Sequence, residues 1–271
     1  MSLKVKNIHS IMEKHAPARL KQSYDNVGLM VGDMNSEVSS ILIALDCTMD
    51  VVEEAKKKGC NLIFTHHPLL FKKPSNITTD TLLGRKIIEL IRNDISLYSS
   101  HTNLDAVKGG INDIIMNLLG MDKCKIIEPI EGTSGNEEGS GIGRIAELKE
   151  VITLDQFCDR IKKALNISVL RYAGPESKKI TKVAVINGSG QDYFSAAKKM
   201  GADCVITGDT TYHYVSDFQE EGIAIIDAGH FGTEWPAMTL VAEYLKKQIE
   251  DMGFNSTIIL SETSRNPYKY K

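Results

Sequence analysis

Six short runs along the chain are largely apolar without alternation, most of them rich in β-branched residues: Ile41 to Leu45, Leu62 to Thr65, Ser96 to Ser99, Val183 to Ile186, Cys204 to Thr207 and Ile223 to Ile226. Continuous rather than alternating apolar character is what a strand covered on both faces requires. Between these runs, Asp50 to Lys58, Thr81 to Asn93, Ile111 to Leu119 and Asp192 to Met200 carry apolar residues three and four positions apart, which predicts helices with one buried stripe. The alternation defines an α/β protein. The stretch Glu128 to Arg144, EPIEGTSGNEEGSGIGR, is rich in Gly, Ser and Glu and has no apolar period, so a mobile loop near a domain boundary is expected there. The expected division puts residues 1–127 with 230–271 in a first α/β domain carrying most of the candidate ligands, and residues 128–229 in a second.

An internal repeat supports two similar halves. Ile43 to His67 aligns without a gap on Val185 to Asp209, matching Asp50 with Asp192, Ala55 with Ala197, Lys56 and Lys57 with Lys198 and Lys199, Gly59 with Gly201, and Thr65 with Thr207. Both segments read as strand, helix, strand, whether by duplication or by a shared βαβ grammar in which Gly closes the helix. His66 and His67 correspond to Gly208 and Asp209, so the local fold does not demand the two histidines.

Composition narrows the class. With 271 residues, 42% hydrophobic and 25% charged, the chain is of ordinary globular make-up and long enough for two domains. No apolar run approaches the roughly 20 residues of a membrane span, and the start MSLKVKNIHSIMEKHAP lacks the features of a secretory signal, so a cytoplasmic protein without membrane contact is expected. Five cysteines without a CxxC pair argue for reduced thiols and against a thiolate zinc site. A net charge of -3 without a basic stripe offers nucleic acid no footprint.

The histidines then carry the chemistry. His9 and His15 fall in the polar amino-terminal helix and read as solvated surface residues. The rest follow strand-like runs: His66 and His67 after NLIF, His101 after ISLYSS, His230 after AIIDAG, and His213 just beyond VITGD. The carboxyl ends of strands in an α/β sheet form one edge, where ligand sites are built. His101 and His230 each have a carboxylate four residues on, Asp105 and Glu234. Thr233 as N-cap and Pro236 in the first turn would start a helix whose Glu234 faces back to His230. His66, His67, His101, Asp105, His230 and Glu234 form an imidazole and carboxylate set suited to zinc, iron, manganese, cobalt or nickel, and six ligands exceed what one catalytic zinc takes. Two divalent ions per chain are expected, with a shared water deprotonated near neutral pH. Asp46, after ILIAL, either orients a ligand imidazole or caps the helix before Thr48.

The motifs SYDNVGLMVGD, ALDCT, THHPLLF, SSHTNLDA, GIGRIAEL, GADCVITGD and DAGHFGTE, in this order, resemble the NIF-three-like family, whose bacterial members are often named GTP cyclohydrolase 1 type 2 homologues. The resemblance spans nearly the whole chain. It implies two α/β domains with a di-metal site in the cleft between them, a toroidal homohexamer, and His66, His67, His101, Asp105, His230 and Glu234 as ligands. The mid-chain inserted domain of some longer relatives has no room here. A small-molecule or nucleotide substrate is implied by the family name, yet no P-loop is present, and NGSGQD (Asn187 to Asp192) reads either as a tight turn or as a phosphate-accepting one. Two classes stay open: a metal-dependent hydrolase in which His101, His213 or Asp46 moves protons, and a non-enzymatic metal-handling or regulatory protein. Cys47, beside Asp46, is the rival nucleophile.

Overall fold

The computed structural model describes residues 2–133 and 138–271. The chain forms two compact units, residues 1–104 with 238–265 and residues 105–237 with 266–271. Each contains one sheet.

The sheet of the first unit is built from β1 (Gly28–Val31), β2 (Ser40–Ala44), β3 (Leu62–Thr65), β4 (Ser96–Ser99) and a last strand, Thr257–Leu260. The order is β1-β4-β3-β2 followed by that last strand. β2, β3 and β4 run parallel, and β1 closes one edge antiparallel to β4. All residues of β2, β3 and β4 are buried, which accounts for the absence of an alternating polar face; their polar residues, Ser40, Thr65, Ser96 and Ser99, lie at the strand ends. Helices α1 (Val5–His15), α2 (Met49–Lys58), α3 (Leu82–Arg92) and α4 (Thr102–Ala106) come from the same part of the chain. Val51, Val52 and Ala55 of α2 and Ile87 and Leu90 of α3 share a core with Leu42, Ile63 and Leu97.

The second unit holds β5 (Lys125–Pro129), β6 (Gly141–Thr153), β7 (Arg171–Ala173), β8 (Lys179–Val185), β9 (Cys204–Thr207) and β10 (Ala224–Asp227), which makes Thr257–Leu260 β11. Its order is β5-β6-β8-β9-β10-β7. β8, β9 and β10 are parallel, and the outer strands are antiparallel to their neighbours. The helices are α5 (Ile111–Leu118), α6 (Leu154–Leu165), α7 (Phe194–Lys199), α8 (Tyr212–Glu220) and the start of α9 (His230–Asp251). Phe194 and Phe218 meet edge to face at 5.4 Å over Ala184, Val205 and Ile225.

The sequence repeat is also a repeat of register. Ile41 pairs with Leu62 and Ile43 with Phe64, while the aligned residues Val183 and Val185 pair with Cys204 and Ile206. The likeness extends one strand further: β3 is followed in the sheet by β4, and β9 by β10, again in parallel.

Several expectations are corrected. The glycine-rich stretch 128–144 contributes β5 and β6 residues at its two ends and joins two paired strands; residues 134–137 within it lie outside the described residues. The chain passes from the first unit to the second earlier, at Leu104–Asp105. Helix α9 starts at His230, so Thr233 is not its cap: it lies inside the first turns, its hydroxyl bonded to the carbonyls of Gly229 and His230. Pro236 accordingly sits within the helix rather than in its first turn. His9 and His15 are half-buried, not solvated. His9 Nδ1 lies 3.2 Å from the Tyr98 hydroxyl, and His15 packs on Tyr244 with its pKa lowered by burial. The edge strands β1, β5, β7 and β11 and the long β6 escaped the apolar pattern. β6 is interrupted by charged residues and by a register shift between Glu147 and Ile152.

One buried carboxylate ties the end of β11 to α2. Glu54, 6% exposed, accepts from Lys58 Nζ at 2.8 Å, Glu262 N at 2.9 Å, Ser261 Oγ at 2.5 Å and Thr263 Oγ1 at 2.7 Å. Burial alone would raise its pKa, but these donors outweigh it and bring the group from 4.5 down to about 2. A folded pKa below the unfolded one stabilises above the unfolded value, and this contribution disappears as pH falls from 4.5 to about 2. In urea unfolding across the acid range, Glu54→Gln should therefore show a shallower stability slope in this window than the wild type. Equal slopes would refute the role given to Glu54.

Candidate metal centre

In the first unit, three histidines follow neighbouring parallel strands. β3 delivers His66 and His67, with His67 N bonded to Leu45 O at 3.0 Å and its carbonyl accepting from Thr65 Oγ1 at 2.9 Å. β4 delivers His101, whose backbone N–H donates to Asn103 Oδ1 at 2.9 Å. The three rings stand 5.1 to 5.6 Å apart between centroids. Each offers one ligand nitrogen, and these nitrogens lie within 4.8 Å of one another.

Every ring is oriented from behind. His66 Nδ1 is 2.9 Å from Ser100 O, His67 Nδ1 2.8 Å from Asp46 Oδ1, and His101 Nδ1 2.8 Å from Asp25 Oδ1. A carbonyl or carboxylate oxygen only accepts, so each Nδ1 carries the proton and each Nε2 keeps its lone pair. Asp46 is thus the orienting group, and the cap of α2 is Thr48, whose hydroxyl accepts from Val51 N. Asp25 is the stronger case. Its side chain is buried and also accepts from Thr102 N at 3.1 Å, from the Thr102 hydroxyl and from its neighbour Asn26 N. Burial pushes its pKa up, the bonds from His101 and Thr102 pull it down, and the balance falls below the usual value.

The second unit holds the other three candidates. His230 and Glu234 are one turn apart on α9, and His230 Nδ1 lies 2.7 Å from Asp209 Oδ2. His230 Nε2 is 3.2 Å from Glu234 Oε2, and Glu234 is 2% exposed. With Nδ1 protonated toward Asp209, a lone pair faces a buried carboxylate oxygen. His230 and Glu234 could hold a divalent cation through this nitrogen and this oxygen. The donor set therefore fits a divalent ion.

Asn187 arranges the carboxylates. Its Nδ2 group donates to Asp105 Oδ1 at 2.9 Å and to Glu234 Oε1 at 3.1 Å, one hydrogen to each. Asn112 bonds the backbone of both Asp105 and Asn187. Buried Arg144 donates to the Ala106 and Val107 carbonyls just beyond Asp105, and to Asp113, Gly141 and Gly143. The NGSGQD turn thus serves the carboxylates: Gly188 has φ +59°, and a Cβ there would meet Glu234 Oε1 at 2.8 Å. At Gly208, the repeat partner of His66, a Cβ would lie 2.8 Å from the His230 backbone. Glycine is required where the other half carries its imidazole.

The model of the family described as Duf34/NIF3 (NGG1p interacting factor 3) matches residues 3–267. The chain belongs to the DUF34/NIF3 family. A Clostridium acetobutylicum relative named GTP cyclohydrolase 1 type 2 homolog is 56% identical over 271 residues, covering 100% of both chains. Among solved structures, a hypothetical protein of Staphylococcus aureus matches with a TM-score of 0.91 at 30% identity over 100% of both chains. A Bacillus cereus protein related to NIF3 matches with a TM-score of 0.92 at 27% identity, also over 100% of both chains. The mixed α/β fold with two sheets is thereby the fold of this DUF34/NIF3 chain. Among its described residues no helix is long and apolar enough to cross a membrane.

Asp25, Asn187 and Asp209 were not singled out from the sequence as residues that orient the ligand set. Asp25 stands in the SYDNVGLMVGD motif, Asn187 in NGSGQD, and Asp209 ends GADCVITGD, where it is the repeat counterpart of His67. His213, a proposed proton carrier, is exposed in the first turn of α8 with its ring against Tyr212. Cys47 is 4% exposed, and burial pushes its thiol up to about 12. Iodoacetamide at neutral pH should leave Cys47 unmodified in the native protein and label it after denaturation, as read by peptide mass spectrometry. Rapid native labelling of Cys47 would restore thiol chemistry as the rival mechanism.

Proposed function

We propose that this protein is a metal-dependent hydrolase holding two divalent ions per chain through His66, His67, His101, Asp105, His230 and Glu234. The observation that carries the reading is the common orientation of four imidazoles. Ser100 O, Asp46, Asp25 and Asp209 each take an Nδ1 hydrogen, which leaves Nε2 as the ligand atom at every one. Zinc, iron, manganese, cobalt and nickel all suit these ligands. Bound ions would supply Lewis acidity and a water acidified toward neutral pH.

The chain's own groups have separate tasks in this reading. Asp25, Asp46 and Asp209 keep the rings in one tautomer and raise their basicity. Asn187 Nδ2 bridges one oxygen of Asp105 and one of Glu234, which fixes the separation of the two carboxylates. Asp46 is engaged with His67, His213 is exposed on α8, and His101 in this reading commits Nδ1 to Asp25 and Nε2 to metal, so the proton carrier is not assigned to any of the three. The relatives' name puts opening of a guanine nucleotide ring first among hydrolyses to assay. The family resemblance also supports a cytoplasmic homohexamer.

Elemental analysis of reconstituted protein should find about two divalent ions per chain, and Glu234→Gln or His101→Ala should lose metal while circular dichroism stays unchanged. Hydrolysis in a metabolite screen should require the ion and rise with pH through the neutral range. One ion or fewer at shown saturation rejects the dinuclear site. Full loading with no turnover of any metabolite would favour a metal-handling or regulatory role.

For the assembly, light scattering at micromolar concentration should give six times the chain mass of 30.0 kDa. A monomer mass would reject the hexamer.

A further inference from the structure

Beside His230 the second unit has a cavity of about 610 Å³, and all its lining residues belong to that unit. This is the size range of small-molecule sites. Its lining includes His230, Asp209 and the segment 266–270, which the chain supplies after β11. Three aromatic side chains line it: Phe231, Tyr268 and Tyr270. Tyr268 and Tyr270 are 74% and 60% exposed, large rings left uncovered at the rim of a pocket. Phe231 is already stacked on Trp235, which holds its ring in place.

The charges of the cavity are mostly spent. Asp227 is paired with Arg171 and accepts from Thr210 Oγ1 and Gly229 N. Asp209 is bonded to His230 and Ser189. Lys269 is the lining cation without a carboxylate partner among the described residues. An uncommitted ammonium among aromatic faces suits a flat ring that carries a negative group: the rings cover its faces, and the ammonium pairs with its charge.

We infer that this cavity binds the substrate, a planar aromatic anion, between Tyr268, Tyr270 and Phe231, with Lys269 on its anionic group and its reacting edge toward His230. The inference rests on the hydrolase reading and adds a substrate class to it. Tyr268, Tyr270 and Lys269 are specificity-determining residues that take no part in holding metal.

The test is calorimetric titration of the full-length, metal-reconstituted protein with naphthoate. Cyclohexanecarboxylate, an anion without a flat ring, and naphthylmethylamine, a flat ring with a cation, serve as comparison probes. Naphthoate should bind about tenfold or more tightly than either. Tyr268→Ala with Tyr270→Ala, and separately Lys269→Gln, should each weaken naphthoate about tenfold, while His213→Ala, outside the cavity, should leave it unchanged. Metal content, measured on the same samples, should be the same in all of them. Exposed positions make misfolding of the tyrosine variant unexpected, and the conservative Lys269→Gln gives an independent reading. Naphthoate binding no better than the comparison probes, or undiminished in both variants, overturns the inference even where metal loading is intact. Binding that follows the variants in a protein that takes up no metal would keep the pocket and remove the hydrolase reading.

Discussion

The hydrogen bond from a histidine Nδ1 to an oxygen behind it is the constraint on which the candidate centre depends. An unrestrained imidazole has two tautomers and a rotating ring, and a ligand set built from such rings would bind metal only after ordering them. Here four different backings, one carbonyl and three carboxylates, remove that freedom before any ion arrives. The energetic cost of burying Asp25 is met by its hydrogen bonds to His101 and Thr102. Its neighbours keep it ionised, and its ionisation in turn fixes His101.

The two halves of the repeat show how one local fold was used for two chemistries. The strand registers are the same, and both leave the sheet at a threonine, Thr65 or Thr207. Beyond it the first half presents imidazoles and the second presents Gly208 and Asp209. The aspartate there does for His230 what Asp46 does for His67. A carboxylate beside a strand end is thus paired with a histidine in each unit, although the two aspartates leave different strands.

Much of the fold was legible because central parallel strands must be apolar on both faces. That requirement writes itself into Ile41 to Leu45 or Cys204 to Thr207 without reference to the rest of the chain. Strands outside that centre carry no such mark: β1, at a sheet edge, is only partly buried, and β6, paired on both sides, includes charged residues and a register shift. The ligand candidates were legible for a related reason, since a histidine at a strand exit with a carboxylate one turn later is a local pattern. The groups that orient them were not. Asp25 is 76 positions from His101, and Asn187 is 82 from Asp105. Such partners are chosen by tertiary distance, and only the fold reveals them. Thr233 misled for the opposite reason: it has the chemistry of a helix cap, but the helix had already begun at His230.

The Asn187–Gly188 pair also sets a limit on the chemical lifetime of the centre. Glycine is needed there because a side chain would strike Glu234, and that same missing side chain leaves the following backbone nitrogen unshielded. In an unfolded chain such a nitrogen readily attacks the asparagine amide and releases ammonia. Burial and the two bonds to Asp105 and Glu234 hold the amide away from that path. Loss of the amide would replace a donor shared by two carboxylates with a third carboxylate. Two attractions would become repulsions at the point where their spacing matters most, so folding protects the covalent integrity of the residue that arranges the site.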